Sequence, residues 1–152
     1  MSSKWRPDDS LMKADSRGRV KGARRVTDAL RRHGVRYGRG VITSRDRGVA
    51  AVQRDLKREG MPPGVESWQI PLLFRPSGDL LFFLTRMRPG ASVPEHAHDH
   101  VVVRIVLEGT LKYGRVTLKS GEWMFVPARV AYSVTAGPNG CRILYGHCPC
   151  DD

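Results

Sequence analysis

Between Gly90 and Gly109 the chain reads GASVPEHAHDHVVVRIVLEG, and this stretch limits what the whole can become more than any other. His96 and His98 stand two residues apart, just after Gly90 and Pro94. Residues i and i+2 of an extended strand share a face, so the spacing predicts two imidazoles projecting side by side into one space. After a turn at Asp99–His100 comes VVVRIVL, β-branched almost throughout and closed by Gly109. Two histidines on one face, a turn and a returning strand make half of a metal cage on a β-scaffold.

The rest of the chain from Val65 onward has the same texture. The segments WQIPLLF, DLLFFLTRM, SVPEHAH, VVVRIVLEG, TLKYGRVTL, EWMFVP, AYSVTA and RILYGH are each strand-length. Turn signals separate them at Arg75–Asp79, Pro89-Gly90, Glu108-Gly109, Ser120-Gly121 and Gly137-Pro138-Asn139-Gly140. Short strands at this spacing predict an antiparallel sandwich or small closed barrel. Trp68, Phe74, Phe82, Phe83, Trp123 and Phe125 are its expected core aromatics.

Upstream the pattern is helical and basic. Residues 1–60 hold 17 Lys/Arg against 7 Asp/Glu, whereas residues 61–152 hold 9 against 8. Residues 1–19 are polar, read as a flexible basic tail and are not expected to order alone. Residues 20–60 read as a basic helical extension. Ala23, Val26 and Leu30 form one stripe, ending near His33-Gly34; Val49, Val52 and Leu56 form a second, with Ser44 as its expected cap and Gly60 as its stop. Both stripes are narrow, so the helices must pack on each other, on the barrel or on another subunit. A basic arm gathers polyanions, which keeps contact with nucleic acid through residues 20–60 open. Two helices rather than about three, with arginines spread around them, do not favour that reading.

No apolar run is long enough to span a membrane, and the polar start has no apolar h-region. Three cysteines near the C-terminus (Cys141, Cys148 and Cys150) do not make a disulfide framework. The cytoplasm is the expected location.

Residues 90–109 resemble the first cupin motif, G-x5-H-x-H-x3-E-x6-G, through Gly90, His96, His98, Val102 and Gly109. Residues 121–132 resemble the second, G-x5-P-x-G-x2-H, through Gly121, Pro127, Arg129 and Tyr132. The resemblance implies an antiparallel double-stranded β-helix, a jelly-roll barrel over about residues 61–150, commonly a homodimer, with a site inside. It also implies a divalent metal (Fe, Mn, Zn or Ni) held by histidines and a glutamate. Two of those ligands are substituted here: Val102 stands for the glutamate and Tyr132 for the last histidine.

His96 and His98 are therefore the expected metal ligands, with a third group to be found. His100 continues their parity, Tyr132 occupies a ligand position, and His147 lies on the last strand. The tail His147-Cys148-Pro149-Cys150 lacks a second Cys/His cluster to complete a zinc site. Arg104 is two residues beyond Val102 on the same strand. It is expected to face the cavity and grip a carboxylate or phosphate, or, in a slipped register, to turn outward to Glu95, Asp99 or Glu108. Trp123 or Phe125 is expected to line the cavity. The resemblance implies oxygenase-, isomerase- or decarboxylase-like chemistry on a small acidic or aromatic molecule, with Tyr132 and Arg104 as catalytic candidates. A non-catalytic ligand-binding cupin and a nucleic-acid-associated regulator are the alternatives.

Overall fold

The computed structural model describes residues 4–37, 42–73 and 80–148. Their elements are a 3-10 turn at Ser10–Met12, helices α1 (Lys21–Arg32) and α2 (Val49–Asp55), and seven strands: β1 (Val65–Gln69), β2 (Leu81–Met87), β3 (Ser92–His96), β4 (Val101–Tyr113), β5 (Val116–Lys119), β6 (Trp123–Val126) and β7 (Tyr132–Cys148). No helix among the described residues is long and apolar enough to cross a membrane.

Two long strands carry the architecture. β4 pairs with β6 through its first half and with β5 through its second. β7 pairs with β2 through its C-terminal half and with β3 through its N-terminal half. β4 and β7 also pair with each other, with the register shifting between Val106 and Glu108 and again between Gly109 and Leu111. Those shifts let both strands bend and curl the antiparallel sheet into a roll. Gly109 and Gly140 sit at the bend with φ near +73°. A Cβ on Gly109 would run into the carbonyl oxygen of Gly140, so this close approach needs glycine.

The bend revises two sequence expectations. AYSVTA and RILYGH are one strand, because Gly137–Gly140 keeps the chain in β7 as a bulge, unpaired with β4, across which the β4 register jumps from Cys141 to Ala136. The first strand begins at Val65 and ends at Gln69, short of Pro71, whose ring removes a ladder donor. The turn expected at Arg75–Asp79 lies outside the described residues, as do Phe74 and Cys150.

Inside the roll the alternation is strict. Leu81, Phe83, Thr85 and Met87 of β2 point inward, as do Val102, Arg104 and Val106 of β4 and Cys141, Ile143, Tyr145 and His147 of β7. Trp123 and Phe125 do not join them. They are 64% and 54% exposed, so the expectation that they fill the core or line the cavity is corrected. On β6 the buried side chain is Val126, with Met124 packed against the core. Trp68 and Phe82 are half-buried.

The helices form a small core of their own from Val26, Ala29, Leu30, Val52 and Leu56. At roughly 1.5–3 kcal/mol per fully buried large aliphatic side chain, this cluster offsets the weakness of two short helices. α1 spans the residues that its stripe predicts. α2 is shorter than its stripe, and Ser44 is not its cap: Gly48 holds the N-cap position at φ 85°. α1 docks on the barrel through Gln69, whose Nε2 donates to the Gly22 carbonyl at 2.8 Å. Several basic side chains of the extension are engaged locally, Arg32 with Asp55 at 2.9 Å and Arg25 Nη2 with the Lys57 carbonyl at 2.6 Å. Residues 4–19 pack on the barrel: Met12 is part of its core, with Trp5 and Leu11 against it.

Candidate metal centre

β3 ends at His96, so the strand parity that pairs His96 with His98 stops there, and His98 and His100 lie on the connection to β4. That connection is held by the second motif. The Arg129 amide donates to the His98 carbonyl at 2.7 Å. Arg129 occupies the glycine position of that motif and still adopts φ 64°, a conformation in which a non-glycine residue carries strain of order 1 kcal/mol.

Three imidazoles converge. The ligand nitrogens of His98, His100 and His147 all lie within 4.8 Å of one another. His147 is 1% exposed, His98 is buried and His100 is half-buried. His100 Nε2 contacts His147 Nδ1, and His147 Nε2 is buried with no partner. His98 Nδ1 faces the Asp9 carboxylate at 2.9 and 3.0 Å, and its Nε2 accepts from the Tyr145 hydroxyl at 3.1 Å. Since an ionised carboxylate only accepts, Nδ1 carries the hydrogen and Nε2 keeps its lone pair.

His96 stands one ring away. Its centroid is 4.8 Å from that of His98 and 4.5 Å from that of Tyr132, and its Nδ1 donates to the Pro94 carbonyl at 2.7 Å. The structure thus brings His98 and His100 together, adds His147, and sets His96 beside the cluster. Tyr132 is buried opposite His96 in the ladder, and its hydroxyl accepts from Arg104 Nη2 at 2.9 Å.

Burial governs the protonation of these rings. It pushes His96 down to about 4 and lowers His100. His147 falls well below the ordinary imidazole value, first through burial and then through His98 and His100 beside it. Burial opposes charge on Asp9, but the hydrogen bond from His98 acts the other way, and the carboxyl lies below its usual range. A metal requires neutral imidazoles, the form that burial favours for His100 and His147. It would displace the Tyr145 hydroxyl from His98 Nε2 and part the His100–His147 contact. Three nitrogen donors suit Zn, Fe, Ni or Cu and leave further positions open for water or a ligand. The orphaned His147 Nε2 and the carboxylate behind His98 fit such an ion.

Arg104 points inward and is 5% exposed. Its guanidinium lies 4.1 Å from the Tyr145 ring centroid, and its Nε has no partner. Arg58, just after α2, reaches the same cavity, donating to the Asp8 carbonyl at 2.9 Å with its guanidinium 4.7 Å from the Phe83 ring centroid. The cavity measures about 20 Å³, room for little more than a water. Two guanidiniums and two imidazoles line it, and none of the described lining residues is a carboxylate. Trp5 and Pro7 are part of its wall and, with His96, also border an open groove of about 330 Å³ beside the end of β3.

Sequence reasoning gave no role to Asp9, Arg58 or Tyr145 and left the direction of His147 open. Tyr145 and His147 are two apart, so strand parity pairs them once either is known to face inward. Asp9 and Arg58 lie outside the motifs and had no such signal.

No family model and no curated protein matches the sequence. The fold is matched by solved structures. KdgF from Halomonas sp. is 17% identical with a TM-score of 0.52, over 63% of this chain and 89% of that one. An RmlC-like cupin from Shewanella frigidimarina is 20% identical with a TM-score of 0.50, over 64% and 96%. Oxalate decarboxylase from Bacillus subtilis, a protein with Mn(II) centres, is 18% identical with a TM-score of 0.51, over 60% of this chain but 26% of that longer one.

Proposed function

With the cupin fold as the premise, we propose that this protein holds a first-row transition metal through His98, His100 and His147 and acts on a small acidic molecule beside it. The observation that carries the reading is the convergence of three imidazole ligand atoms within 4.8 Å, together with a His147 Nε2 that is buried and unpartnered. A metal bound there would supply a Lewis acid to polarise an oxygen of the substrate.

The chain's own residues supply the rest. Arg104 and Arg58 offer guanidinium donors to an anion; no carboxylate lines their cavity, and Asp8 and Asp9 act by charge on Arg58 from outside that lining. Tyr132, held by Arg104, places a hydroxyl next to His96, where it can donate to the bound molecule. Tyr145 keeps its proton, because burial raises its pKa well above the usual tyrosine value. Its hydroxyl is therefore a donor at neutral pH.

A non-catalytic binding protein is the second reading, favoured by a cavity that admits little more than a water while Trp5 and Pro7 are in place. The outward apolar side chains Trp123 and Phe125 support pairing of two copies through that sheet face. Elemental analysis of protein purified without chelator tests the metal. Stoichiometric metal that His147→Gln removes is the expected result, and metal-free protein that rejects added Zn(II), Fe(II) and Mn(II) overturns the reading. Turnover of a small carboxylate by the loaded protein then separates the enzyme from the binding module.

A further inference from the structure

The barrel strands bring imidazoles to this centre but no carboxylate, since Val102 fills the motif's acidic position. The carboxylate comes from elsewhere. Asp9 reaches His98 Nδ1 with both oxygens, at 2.9 and 3.0 Å, across a sequence separation of 89 residues. A carboxylate on one nitrogen of an imidazole fixes which nitrogen keeps its lone pair, and it orients the ring. Here that nitrogen is Nε2, which faces Tyr145.

Asp9 is delivered by a segment with several separate anchors. The Trp5 indole donates to the Gly60 carbonyl at 2.8 Å, and its ring meets His96 edge-on at 5.2 Å. Arg58 holds the Asp8 carbonyl, and Met12 is buried in the barrel core. Displacing the segment would remove the His98 partner and part of the wall of the cavity together.

We propose that Asp9 is a positioning residue of the metal centre, so that docking of residues 5–12 on the barrel and metal affinity are one coupled equilibrium. The inference rests on the metal reading above. Its consequence follows from linkage: if docking raises metal affinity by some factor, metal strengthens docking by the same factor. The expected size is the roughly 10–100-fold that outer partners of metal-bound histidines contribute.

The test is competition for Co(II) and Zn(II) against a chromophoric chelator, using full-length wild type, Asp9→Asn and Asp9→Glu, with hydrogen exchange of residues 5–12 followed with and without metal. Asn preserves the shape of the side chain and removes its charge, so a purely structural role leaves its affinity unchanged. The expected result is a 10–100-fold loss for Asp9→Asn, partial recovery with Asp9→Glu and an altered Co(II) absorption spectrum. In wild type, metal slows exchange of residues 5–12 by a comparable factor, and in Asp9→Asn it does not. Wild type that binds metal no better than Asp9→Asn overturns the role of Asp9 and leaves the metal reading standing. Wild type that binds no metal overturns both.

Discussion

His147 stands directly opposite Val102 across the β4–β7 ladder. Val102 holds the position where the cupin motif places its glutamate, and cross-strand neighbours lie about 4.5–5.5 Å apart at Cβ. On the metal reading, a ligand missing from one strand would be supplied from the next, within the same patch of the inner wall. His147→Gln is expected to weaken metal binding by more than the roughly 10–100-fold typical of outer partners, and His96→Gln by less. Chelator competition measures both. Equal losses at the two positions would return His96 to the ligand set and sink the assignment of His147.

Arg104 is a buried cation whose contacts are a hydroxyl and two aromatic faces. Cation–π and charge-assisted contacts offset part of its desolvation, yet its Nε remains orphaned. A residue kept at such a cost to the fold points to use by a ligand. Arg104→Met is expected to leave the melting temperature of the metal-free protein unchanged or higher, by the logic that apolar replacement of buried charge is neutral or stabilising. The same substitution should abolish the shift in melting that small carboxylates give the wild type. A large drop in melting temperature with carboxylate binding intact would show that the guanidinium serves the core alone.

Acid should destabilise the metal-free protein well before its carboxylates are protonated. His96 falls to about 4 from 6.5 and His147 falls well below 6.5, both through burial. Below pH 6.5 the unfolded chain takes up protons on these rings and the folded one does not. The stability they contribute is therefore complete above that pH and is lost as pH falls below it, towards 4 for His96. At 1.36 kcal/mol per unit, His96 alone corresponds to a loss on the order of 3 kcal/mol. Asp9, lowered from 3.8, adds a loss of the same sign at still lower pH. Urea unfolding between pH 7.5 and 4.5 measures the slope, and a flat profile would mean that these rings are hydrated in the folded state.

What the sequence shows depends on whether each segment carries a period. The apolar stripe at Ala23, Val26 and Leu30 places α1, and the β-branched run around Arg104 places β4 with its inward parity. WMFV is apolar at all four positions, so alternation cannot tell which pair faces inward, and Trp123 and Phe125 turn out to face solvent. The glycines at 137 and 140 read as a turn, but a bent strand uses the same residues for a register shift. That obscures the direction of His147 when it is counted from Tyr132. Asp9 lies in a polar stretch with no period, and only the folded barrel puts it beside His98.

The outer face of the sheet carries the last prediction. Trp123 pairs with Ile105, Ile105 with Leu144, Leu144 with Leu84 and Leu84 with Trp68, one uncharged row across five strands. Phe125, Val103, Gly146 and Phe82 form a second row beside it. Paired residues share a face, so the two rows make one apolar surface ending at the exposed Trp123 and Phe125. An uncharged face needs an apolar partner, and the same face on a second copy offers one through an isologous two-fold contact. Sedimentation should show a dimer for wild type and a monomer for Trp123→Lys combined with Phe125→Lys. The melting temperature of the isolated monomer should barely change, because neither side chain belongs to the core. A wild type that stays monomeric at high protein concentration would remove the second copy as the occupant of this surface.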